Sequence, residues 1–179
     1  LLHKQIRQLE EDFLDPLTGG VGGMVINHKD ENLKSDLSCP NILVPGKLSW
    51  FGRSGMCTQV VSGDRALYDA DCFGGGNMAF RKEALEGSID MNLNRGSAIS
   101  YETDVALCVK KKGYKLFYDP SAVVDHYPAP RSIQAERGWN SFEFFVYAHN
   151  LTYICLKHLR WYGIPFFLFY FFVGGTWFC

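Results

Sequence analysis

The chain has 179 residues and a formal net charge of −1, so its length fits one domain with an ordinary core, and there is no electrostatic case for nucleic-acid binding. Aromatic residues make up 15% of it and crowd the C-terminal end, which directs attention to a membrane. Six cysteines (39, 57, 72, 108, 155 and 179) form no CxxC pair and no Cys/His ligand spacing. They are expected to be reduced packing residues rather than a disulfide framework or a zinc site.

Leu2, Ile6, Leu9 and Phe13 recur at helical spacing through LLHKQIRQLEEDFL, and Asp15-Pro16 ends that helix. GGVGGMVIN then reads as glycine-punctuated strand. Residues 28–58 are polar and irregular, with Pro40 and Pro45, and suggest loops around a short strand near Leu48–Phe51. TQVVSG (58–63) reads as another short strand. NMAFRKEALEG is a strand end running into a helix stopped by Gly87. From Tyr101 the pattern predicts an amphipathic helix with Val105, Leu107, Cys108 and Val109 on its apolar side. Lys110 to Lys112 close its last turn and Gly113 caps it. YKLFYD and SAVVDHY are expected as two strands divided by Asp119-Pro120, and ERGWNSFEFFVYAHNLTYICLKHL as one long helix. The alternation argues an α/β domain, with too few long apolar strands for a complete one.

The tail, Trp161 to Cys179, holds no charged residue. As a helix rising about 1.5 Å per residue it would nearly cross a hydrocarbon core of about 30 Å. Lys157, His158 and Arg160 precede it, and Trp161 and Tyr162 suit an interface, so the part before it is expected on the cytoplasmic side. Pro165, Gly174 and Gly175 equally allow a shallow, re-entrant or interfacial helix. Asn150-Leu151-Thr152 matches a glycosylation acceptor, which a cytoplasmic location would leave unmodified.

Three patterns bear on chemistry. Asp69 and Asp71 form an Asp-x-Asp just before a glycine run, a pairing able to hold a divalent cation against a diphosphate. Gly74, Gly75, Gly76 and Asn77 let backbone approach a ligand closely, yet they are neither GxGxxG nor a P-loop. Glu102 and Asp104 lie two apart at a helix start, where negative charge is favoured; they suit a general base or simple capping. His126 ends an apolar strand beside Asp125, where it would ligate a metal, bind phosphate or only close the strand.

In combination these elements resemble the second half of family 2 glycosyltransferases with the GT-A fold. GGGNMAFRKEAL is similar to the family's Gly-Gly-x-Asn-Met run. YETDVALCVKKKGYKLFYDPSAVVDHY supplies an acidic pair, a basic helix, Gly-Tyr, a loop proline and a strand ending in His, in that order. FLDPLTGGVGGMV (13–25) looks like the helix and strand that follow the family's metal motif, and YAHNLTYICLKHLRW like the amphipathic helix leading bacterial members to the membrane.

The resemblance implies a partial GT-A domain at 1–135, an amphipathic linking helix at 136–160 and a membrane-associated helix at 161–179. The donor-binding half and the true Asp-x-Asp would then precede Leu1. Asp69 and Asp71 only imitate that motif, and the chain would be a fragment of an inverting transferase.

By the same resemblance, the intact protein takes a sugar from a nucleotide-diphospho-sugar to the hydroxyl of a glycan or lipid-linked acceptor. It would use Mg2+ or Mn2+ and work on cell-surface glycan or polysaccharide at the cytoplasmic face of the membrane. Asp104 would be the base, with Glu102 assisting. Gly74, Gly75, Gly76, Asn77, Met78 and Arg137 would contact substrate, and His126 would complete the metal's ligands. In QAERGW (134–139), Gly138 separates Arg137 from Trp139 and so departs from the Gln-x-x-Arg-Trp motif of processive members. That departure favours single addition. A non-catalytic membrane-anchored fragment, with the acidic pair serving only as a cap, is the alternative.

Overall fold

The computed structural model describes residues 2–28, 46–52, 67–93, 100–127 and 141–173. It is a mixed α/β structure around one four-stranded sheet. Helix α1 (Leu2–Asp12) leads through a turn at Asp15, whose carbonyl accepts from the Thr18 amide at 2.9 Å, into β1 (Thr18–Asn27). Short strands β2 (Tyr68–Asp69) and β3 (Met78–Phe80) precede the small helix α2 (Lys82–Leu85). Gly87 ends α2 with a φ of 66°. Helix α3 (Tyr101–Lys111) closes through Gly113, at a φ of 93°, and delivers the chain to β4 (Lys115–His126). The sheet order is β2-β4-β1-β3, with a parallel central pair β1/β4 and antiparallel edges.

The expected division at Asp119-Pro120 does not occur: 115–126 is one strand. The register instead jumps from Gly23↔Asp119 to Met24↔Val123, so residues 120–122 bulge out of the ladder. Proline has no N–H to give the ladder, and a bulge lets the strand continue past it. The Asp119 carboxylate accepts from the Ser121 amide and hydroxyl, both at 2.7 Å, which closes the bulge locally. Only glycine fits opposite it, since a Cβ on Gly23 would lie 2.1 Å from the Ala122 carbonyl oxygen. The Asn77 amide then bridges the interrupted strands, donating to Met24 O at 3.0 Å and Ala122 O at 2.7 Å.

Side chains alternate along β4 and so define two layers of helix. Leu116 and Tyr118 enter the core with Val105, Ala106 and Val109 of α3 and with Ala70, Cys72 and Phe73. Phe117 and Asp119 face α1. Helix α4 (Ser141–His158) packs on α3, and α5 (Ile164–Val173) turns back to bury Phe167. Trp50 and Phe166 meet edge-on there at 4.8 Å.

Around Leu48–Phe51 the backbone is a turn with an isolated bridge at Leu48, not the expected strand. The strand expected at 58–63 and the first residues of the helix expected from 136 lie outside the described residues. Among the described residues no helix is long and apolar enough to cross a membrane. Helix α5, with 10 residues, spans about 15 Å. The Asn150 of the glycosylation match is fully buried on α4.

Candidate functional site

Helix α3 runs antiparallel to the central strands. Val109 and Tyr114 lie over Gly19 near the start of β1, while Glu102 lies beside the turn that rests on Val25 near its end. The first turn of α3, the glycine turn 74–76 and the carboxyl ends of β1 and β4 therefore gather at one end of the sheet. Open α/β sheets place their ligand crevices at such an end.

The turn is held by its ends and open in its middle. The Gly23 amide donates to Asn77 O at 3.0 Å, and the Asn77 side chain is committed to the strand bridge. Asn77 is buried, and Met78 enters β3 against the core, so the two anchor the turn and leave the glycines at its open side. Gly75 and Gly76 are exposed. A methyl group added at Gly75 would lie 3.8 Å from the Glu102 carboxyl carbon. Ser100, just before α3, takes a left-handed φ of 68°, a conformation costing an L residue on the order of 1 kcal/mol.

Asp104 points elsewhere. It is fully buried; Lys157 Nζ donates to its Oδ2 at 2.9 Å and His158 Nε2 to its Oδ1 at 2.7 Å. Lys157 also donates to Asp90 at 2.8 Å, and Asp90 accepts from the Tyr153 hydroxyl at 2.8 Å. Burial alone would raise the Asp104 carboxyl, but the bonds from His158 and Lys157 outweigh it and hold it below its ordinary value. Asp90 is lowered chiefly by its bond from Lys157. Burial would lower the Lys157 ammonium, yet Asp90 and Asp104 hold it above its ordinary value. The cluster ties α3 to α4 and to the 3-10 turn Met91–Leu93.

Asp104, Cys108 and His158 bring their potential ligand atoms within 4.8 Å of one another, the one such group among the described residues. Both Asp104 oxygens are already taken, and the Lys157 ammonium stands where a cation would. The Cys108 thiol is raised, mainly by burial, so it resists becoming a thiolate ligand. These residues do not suit a metal.

The remaining expected residues are dispersed. Asp69, on β2, pairs with Lys47, while Asp71 accepts from Lys110 and from the Leu48 amide at 2.9 Å. His126 ends β4 exposed, its carbonyl accepting from the His28 amide at 2.9 Å. His28 bonds Asp125 at 2.7 Å and stacks on Tyr127 at 4.5 Å. His126 joins no set of converging ligands among the described residues, so these residues alone do not fit Mg2+ or Mn2+. Arg137 lies outside the described residues.

The sequence reading did not anticipate Lys157 and His158 as partners of Asp104. In the sequence they read as charges flanking a membrane segment; the one available signal is two adjacent bases ending a largely apolar helix. No protein-family model, curated protein or solved structure matches this chain.

Proposed function

We propose that the chain is the acceptor-side half of an inverting, GT-A-type sugar transferase. The observation that carries the reading is the convergence of Glu102 and the open glycine turn at the carboxyl ends of β1 and β4. The two motifs are distant in sequence, and each is what the resemblance to family 2 glycosyltransferases requires at that place.

This reading gives the two carboxylates roles other than those the resemblance implies. Glu102, in the first turn of α3 and beside the glycines, is the general base. Asp104, sealed between Lys157 and His158, is a positioning residue that fixes the helix carrying Glu102. Glu102 takes the proton of the acceptor hydroxyl as that oxygen bonds to the anomeric carbon. The bond from that carbon to the diphosphate oxygen breaks with its electron pair, and the configuration inverts. Backbone N–H groups of the glycine turn bind the sugar's polar atoms. No step is assigned to a divalent cation, whose ligands the resemblance places upstream of Leu1.

The exposed apolar side chains of α4 and α5 support a membrane-proximal acceptor. Leu156, Phe166, Phe169 and Phe172, and Trp161 in the turn between the two helices, are all more than half exposed. With α5 about 15 Å long, these side chains suit the headgroup boundary rather than a full crossing.

The test is nucleoside-diphosphate release by the parent protein from UDP-, GDP- and dTDP-sugars with Mg2+ or Mn2+. Glu102→Gln is expected to reduce turnover by about 10² to 10⁴-fold at unchanged stability. Loss in a folded Asp104→Asn variant with Glu102→Gln fully active would return the base to Asp104. A second reading, a non-catalytic binding fragment, is favoured by the complete pairing of Asp104; absence of release from every donor would select it.

A further inference from the structure

The opposite face of the sheet carries a second site, formed where α1 lies over β4. A cavity of about 410 Å³ opens there, lined by Gln8, Asp12 and Asp15, by Thr18 at the head of β1, and by Leu67 and Phe117. Its size falls in the range of small-molecule sites. Two of its lining side chains are buried and hold a polar atom with no hydrogen bond of normal geometry: Asp12, 9% exposed, at Oδ2, although Asp119 and Gln8 lie close enough to act on that carboxyl, and Thr18, 1% exposed, at Oγ1. A buried polar atom left without a partner destabilises the fold, and here two residues lining one cavity each hold one.

The surrounding charge selects what answers them. Glu11 on the same helix and Asp119 on β4 both act on Asp12. The nearby cations are committed: Lys115 pairs with Asp15 at 3.2 Å, and Arg81 donates to the carbonyls of Phe13, Asp15 and Thr18. An anion would meet three carboxylates, Glu11, Asp12 and Asp15, and no uncommitted cation among the lining residues. A metal would need three converging ligand atoms, which these residues do not provide. The Phe117 and Leu67 side chains supply an apolar wall.

We propose that this cavity binds a small primary amine as its ammonium ion, held between Asp12 and Thr18 with its hydrocarbon portion against Phe117 and Leu67. The site is independent of the transferase reading and lies on the other face of the sheet.

The pH dependence follows from Asp12. Burial, reinforced by Asp119, raises its carboxyl to about 7. Ammonium binding needs the carboxylate, whose fraction rises from about a tenth at pH 6 to about nine tenths at pH 8. Affinity is therefore expected to increase about tenfold over that interval.

The experiment titrates the intact protein with 1,6-hexanediamine and, separately, 1,6-hexanediol at pH 6 and pH 8, following the Asp12 carboxyl by 13C NMR. The diamine is expected to shift that signal and bind about tenfold tighter at pH 8. Asp12→Asn should lose both the pH dependence and about tenfold or more of the affinity at pH 8, and Thr18→Val should weaken it less. Diol binding equal to the diamine, a diamine that leaves the Asp12 signal unmoved, or undiminished binding by Asp12→Asn would each overturn the proposal. If Asp12→Asn does not fold, the diamine and diol titrations of the unmodified protein decide it.

Discussion

Carboxylates on the helices and turns either side of the sheet, Asp104 and half-buried Asp90 on one side and Asp12 on the other, are treated oppositely. Toward α3 and α4, Asp104 and Asp90 are met by Lys157, His158 and Tyr153, and every one of these bonds is between 2.7 and 2.9 Å. Toward α1, Asp12 faces a second carboxylate, Asp119, and an open cavity. A cluster whose carboxylates are all paired fixes helices, and here it leaves only the buried His158 Nδ1 without a partner. An unsaturated one destabilises the free protein and is relieved by whatever supplies the missing donors.

The contrast can be broken most severely at Asp104. Replacing it with Ala leaves Lys157 and His158 facing an empty space and is expected to cost about 3 kcal/mol or more in urea unfolding. Asp12→Asn should do the reverse, stabilising the free protein by about 1 kcal/mol at pH 8, because it removes a charge that burial and the neighbouring Asp119 disfavour. Thr18→Val should be neutral or stabilising by about 0.5 kcal/mol, since it deletes an orphaned hydroxyl at constant shape. At the small end, Lys47→Ala removes a solvent-exposed partner of Asp69 and should change stability by about 0.5 kcal/mol or less.

Stability against pH sharpens the same comparison. The Asp104 carboxyl is lowered in the folded state, so its contribution is present above the ordinary value of 3.8 and is lost as pH falls through the folded value. Asp12 is raised from 3.8 to about 7, so the folded state binds more protons between those values and stability declines as pH rises across that window. Urea titrations from pH 3 to 8 should show both limbs. Asp104→Asn should flatten the acid limb alone, and Asp12→Asn the slope between pH 4 and 7 alone. Either variant flattening the other's limb would show the two clusters to be coupled.

Much of the fold was legible because it follows from local signals. The helical spacing of α1, the glycine stop after α2, and the lysines and Gly113 closing α3 each act within a few residues, and all three elements stand where they were expected. Asp119-Pro120 was misread because proline's missing N–H is ordinarily a strand breaker, and the compensating bulge depends on Gly23 and Asn77, far away in sequence. The meeting of Glu102 with the glycine turn was implied by family pattern rather than by any spacing. That Glu102 and not Asp104 would face the turn depended on α4, whose Lys157 and His158 pull Asp104 inward. The α1 cavity left no mark in sequence: Asp12 reads as an ordinary polar helix residue until β4 places Asp119 against it.

The Asn77 bridge has a mechanical consequence. One amide grips the backbones of both central strands at the point where their ladder is interrupted, and the same residue terminates the glycine turn. The turn therefore cannot drift relative to the sheet without parting the strands themselves. A molecule resting on those glycines would be located against the central strand pair itself, as a workpiece is located against a fixed stop rather than a spring.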